Sequence, residues 1–89
     1  MAKAEISWRR DTPEGAKIEV YAHHVGDRWL FYTRERRVGQ WALVAEPVLE
    51  DWLALLDGVQ RRIARRLLRP TEEARIKTAI RERFPNAEV

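Results

Sequence analysis

Residues 16–36 read AKIEVYAHHVGDRWLFYTRER, and their alternation decides the architecture. Ile18, Val20 and Ala22 fall on one side of an extended chain, while Lys17, Glu19 and Tyr21 fall on the other. A period of two is the mark of a half-buried strand, because successive side chains point to opposite faces. Gly26-Asp27 supplies hairpin-turn chemistry, and residues 29–36 (WLFYTRER) return as the next strand. Centring the hairpin on those two residues fixes a register. On the inner face His24 meets Trp29, Ala22 meets Phe31 and Val20 meets Thr33; on the outer face His23 meets Leu30, Tyr21 meets Tyr32 and Glu19 meets Arg34. Paired aromatics and opposite charges land across from one another, as cross-strand pairing favours.

The pattern extends in both directions. Residues 5–10 (EISWRR) place Ile6 and Trp8 on one face of a strand, and residues 11–15 (DTPEG) are turn chemistry. Val38-Gly39 reads as a further turn and Trp41–Val44 as a short fourth strand. The face that Trp41 occupies depends on that loop, since one residue more or less turns it over.

From Glu46 the period lengthens. Pro47 suits a first helical turn, and Glu46, Glu50 and Asp51 sit where a helix dipole favours acids. Leu49, Trp52, Leu53, Leu56, Ile63 and Leu67 recur at three- and four-residue steps. Gly58 fits a cap on a helix ending at Asp57 or a bend, but the stripe crosses it without losing phase, so one long helix is expected over residues 47–68, with Pro70 as its stop. A second helix, over residues 71–84, opens at Thr71-Glu72-Glu73, carries Ile76, Ala79, Ile80 and Phe84, and ends at Pro85. The expected fold is a single α+β domain spanning residues 1–89. A three- or four-stranded antiparallel β-meander (5–44) precedes a long helix packed on one sheet face and a shorter C-terminal helix, βββ(β)αα.

With 89 residues there is room for one core, and with no cysteine there is neither disulfide nor thiolate metal site to support it. Four tryptophans, two tyrosines and two phenylalanines supply the apolar area instead. The apolar runs are too short for a signal peptide or a membrane span, which points to a cytoplasmic protein with no membrane partner. His23 and His24 are strand neighbours facing opposite ways, so they cannot share a metal ion. A lone serine, Ser7, and the absence of a phosphate-binding glycine loop leave no catalytic constellation and no cofactor motif; the chain is not expected to be an enzyme.

Charge carries the functional reading. The net charge is only +3, from 17 basic and 14 acidic residues, but residues 60–69 (QRRIARRLLR) hold five arginines and no acid. On a continuing helix Arg61, Arg62, Arg65, Arg66 and Arg69 share an arc of roughly 140° and a length of about 12 Å, enough to follow several phosphates. The expectation is a small protein that binds DNA or RNA through the phosphate backbone, with Arg34 and Arg36 as secondary contacts. Neutralisation by Glu72, Glu73, Glu82 or Glu88 would reduce the same run to a solvated helix face. The alternative is a protein-interaction or self-association module docking through Tyr21, Leu30, Tyr32 and Trp41 on the outer sheet face, residue types enriched at interface hot spots.

Overall fold

A computed structural model describes residues 5–26, 28–36 and 39–89. The protein is α+β: four antiparallel strands in one sheet precede two helices, the first longer than the second. Two compact units divide the chain between Pro47 and Val48.

The first unit is a meander of β1 (Glu5–Asp11), β2 (Lys17–Val25), β3 (Arg28–Glu35) and β4 (Ala42–Val44), with spatial order equal to chain order. The β2–β3 register is the expected one throughout, pairing Val20 with Thr33, Tyr21 with Tyr32 and His24 with Trp29. Gly26 takes φ +62°, a left-handed conformation suited to a residue without a Cβ. Asp27 lies outside the described residues, as do Arg37 and Val38 of the next turn. The inner face buries Ile6, Val20, Ala22 and Phe31, and the Trp8 ring meets Phe31 edge-on at 6.2 Å. His24 stacks on Trp29 at 4.4 Å.

Beyond β3 the backbone doubles back closely. The Gly39 N–H donates to the Glu35 carbonyl at 3.0 Å, and a Cβ on Gly39 would stand 2.8 Å from the Glu35 nitrogen. β4 then pairs Leu43 with Tyr32 and Ala42 with Thr33, which puts Trp41 on the outer face.

The second unit is a helical hairpin of α1 (Leu49–Ala64) and α2 (Pro70–Arg83). Gly58 sits inside α1 without breaking it. The buried stripe of α1 is Trp52, Leu55, Leu56 and Val59; the expected members Leu53 and Leu67 are exposed instead. Both ends fall short of the expected 47–68. Val48 is the N-cap, so Pro47 stands before the helix rather than in its first turn. At the other end the helix closes at Ala64 in a Schellman turn: the Leu67 N–H donates to the Arg62 carbonyl at 2.8 Å and the Arg66 N–H to the Ile63 carbonyl at 2.9 Å.

That turn needs a left-handed residue, and Arg66 supplies it at φ +61° where glycine is usual. The cause lies downstream. In a continuing helix the Pro70 ring would clash with the Arg66 carbonyl, and the residue before a proline resists helical angles. Arg69 is accordingly extended, at φ −79° and ψ 144°, and caps α2, which Pro70 opens. Pro70 therefore starts the second helix rather than merely stopping the first.

α1 and α2 are tied by polar contacts as well as by buried Ile76 and Ile80. The Gln60 amide donates to Glu73 at 2.9 Å, and the Arg83 guanidinium lies 5.0 Å from the Trp52 ring centre. The hydrogen bonds from Gln60 and Lys77 hold the Glu73 carboxyl below the usual glutamate range. No helix among the described residues is long and apolar enough to cross a membrane.

Candidate nucleic-acid interface

The early end of α1 redistributes the arginine run. Arg61 and Arg62 occupy the last helical turn, Arg65 is the C-cap, Arg66 is the left-handed residue, and Arg69 caps α2. The five do not share one helical face, as a helix to residue 68 would have arranged. They wrap a tight interhelical turn instead.

Their neutralisation is uneven. Arg61 pairs with Asp57 at 2.8 Å, one helical turn back. Glu72 pairs with Arg75 at 3.0 Å and Glu73 with Lys77 at 3.3 Å, so these acids answer bases of their own helix. Arg81 donates to the Val89 carbonyl oxygen and Arg83 to that of Ala79. Among the described residues of the helical unit, no carboxylate is paired with Arg62, Arg65, Arg66 or Arg69. Arg65, Arg66 and Arg69 are exposed and Arg62 is half-buried. Guanidinium groups concentrated within a few residues and paired with no acid of their own unit can contact successive phosphates.

The outer sheet face uses its arginines differently. The Arg34 Nε donates to Glu19 Oε1 at 2.7 Å, and the guanidinium lies 4.7 Å from the Trp41 ring centre. The second Glu19 oxygen is 3.7 Å from Arg9 Nε. The Arg34 hydrogen bond, above all, holds the Glu19 carboxyl below its ordinary pKa, against the opposing effect of burial. Trp41 meets Tyr21 edge-on at 4.8 Å, and Tyr21 stacks on Tyr32 at 4.7 Å. Burial pushes the Tyr21 hydroxyl up in pKa, with Tyr32 and Glu5 adding to it. Arg9, Glu19, Arg34 and Trp41 border an open hollow of about 360 Å³.

The sequence reading assembled Tyr21, Tyr32, Arg34 and Trp41 but missed Arg9 and the bridging role of Glu19. The signal was present: centring the first hairpin on Glu14 sets Arg9 opposite Glu19, the register observed. Leu30 is half-buried and faces His23, and Arg36 is exposed one residue beyond β3. His23 lies 3.5 Å from Glu5, and no group of three metal-ligating side chains gathers among the described residues. Comparison with protein-family models, curated proteins and solved structures finds no match.

Proposed function

We propose that the protein binds nucleic acid through its phosphate backbone, using the turn between α1 and α2. The observation that carries this reading is the unneutralised set Arg62, Arg65, Arg66 and Arg69, beside which the other bases of the helical unit have partners. Backbone contact of this kind releases counterions, so affinity falls steeply with salt and depends weakly on sequence. Arg34 is held by Glu19 and Trp41 and contributes as a secondary contact at most; Arg36 is the freer of the two.

Filter binding of a DNA duplex and an RNA strand over a salt series tests the reading. Replacing Arg65 and Arg69 with Glu leaves the left-handed position untouched and removes two contacts. The log–log slope should then fall by about 0.9 per contact on duplex, or about 0.7 on a single strand. Unchanged affinity in the double variant rejects the proposal.

A second reading rests on the outer sheet face, where Trp41 and Leu43 are 40% and 59% exposed beside the ordered tyrosine stack. Exposed apolar side chains next to a packed aromatic cluster suit a protein partner. A Trp41→Ala variant that keeps its salt-dependent nucleic-acid affinity but no longer recovers a bound protein would favour this second reading for that face.

A further inference from the structure

The two edges of the sheet are unequal. β4 is three residues long, whereas β1 presents seven, with an unbroken register against β2 and no proline or bulge. Short or interrupted edges resist pairing with other chains; a long regular one does not.

The hydrogen-bond parity of β1 is fixed at its turn. The Thr12 N–H donates to the Ala16 carbonyl at 2.9 Å, so the pairs that exchange bonds with β2 are Arg10–Ile18, Trp8–Val20 and Ile6–Ala22. Glu5, Ser7 and Arg9 therefore turn their backbone N–H and C=O groups away from β2. Among the described residues none of those outward groups has a partner, and all three side chains are exposed.

We infer that this edge pairs with the same edge of a second copy, antiparallel about a twofold axis at Ser7. Parity requires outward residues to face outward residues, which leaves three registers that pair five or more positions of β1. A centre at Trp8 sets Glu5 against Asp11 twice, carboxylate to carboxylate. A centre at Arg9 sets two guanidinium groups against each other. A centre at Ser7 sets Glu5 against Arg9 twice, Ser7 against Ser7, and Ile6 against Trp8 on the inner face. Only this last register sets every paired charge against its opposite and every paired apolar residue against another. The identity of the partner follows from that self-complementarity: the strand's own charge order is the one that its edge accepts. The inference is independent of the phosphate-binding turn, which lies in the other unit.

Sedimentation equilibrium over a wide concentration range tests it, with circular dichroism confirming the fold of each variant. The wild-type chain should show a reversible monomer–dimer equilibrium. The Ser7 N–H faces outward, so Ser7→Pro leaves the β1–β2 ladder whole and should abolish the dimer. Glu5→Arg and Arg9→Glu should each weaken self-association about tenfold or more, since each puts like charges across both symmetric pairs. Mixed together, those two variants should form a heterodimer, because each copy then supplies the charge that the other lacks. A wild-type chain that stays monomeric throughout, a mixture that fails to associate, or a dimer lost in Trp41→Ala but kept in Ser7→Pro would each overturn the proposal.

Discussion

Two groups of arginines in this chain have opposite fates. On the outer sheet face Arg34 and Arg9 share Glu19, and Arg34 also covers the Trp41 ring. At the turn between the helices, Arg62, Arg65, Arg66 and Arg69 are paired with no acid of their own unit. The residue type is the same, so the difference lies in what the backbone brings opposite. A strand presents each side chain to a partner across the ladder, and one acid there serves two bases. A turn after a helix presents side chains outward in several directions, and its nearest acids are already engaged along α2. Availability, not number, separates a site from a solvated surface.

That contrast can be broken from the sheet side most forcefully. Phe31 is buried at 2% exposure on the inner face of the strand that carries Arg34. Phe31→Ala should cost about 3–5 kcal/mol in urea unfolding, and should release the held arginines as the sheet loosens. Salt-dependent binding that then steepens would show that packing was what kept them occupied. At the turn, Arg66→Gly removes the left-handed strain and should raise stability by about 1 kcal/mol in the same measurement. It should also flatten the salt dependence of binding by one contact, so stability and affinity move in opposite directions. Unchanged stability would mean that Arg66 carries no strain at φ +61°.

A smaller effect sharpens the comparison within one helix. Asp57→Ala should lower stability by only about 0.3–0.5 kcal/mol, as expected of an exposed pair one turn apart. It frees Arg61, and binding should strengthen, with a salt slope steeper by one contact. The finest test is the titration of Glu19, followed by NMR at its carboxyl carbon. Its folded pKa lies below the ordinary 4.5, so the ion pair is fully formed above that value and is lost as pH falls through the depressed one. Arg34→Gln should move the Glu19 titration upward toward the ordinary value, while Arg36→Gln should move it little, following the order of their effects.

Much of the fold was legible because alternation and turn chemistry agreed. Gly26-Asp27 and the flanking period of two determined every β2–β3 pair that the structure shows. The face of Trp41 was not legible, because Val38-Gly39 marks a turn without fixing its length, and one residue more or less turns Trp41 over. The end of α1 was misread for a similar reason. Leu67 and Leu68 continue the apolar pattern, and no glycine marks the left-handed position, which Arg66 fills. Pro70 fits both a terminator and a first helical residue, so composition alone could not place it. At the site, the types and positions of the arginines were visible in the sequence; their arrangement around a turn, and which of them an acid answers, were not.

The Schellman turn at Arg66 also makes the interhelical segment a gauge of local opening. Trypsin cuts after arginine but requires an extended substrate, and the Leu67 N–H bonded back to the Arg62 carbonyl holds Arg65, Arg66 and Leu67 in a closed bend. The Arg69–Pro70 bond resists the enzyme in any conformation because of the proline. Cleavage should therefore concentrate at the bonds after Arg65 and Arg66, at a rate set by how often the bend opens rather than by exposure of the side chains. A ligand lying across the turn would slow that rate in proportion to its occupancy, and the nicking rate then reads both the strength of one helix ending and whatever covers it.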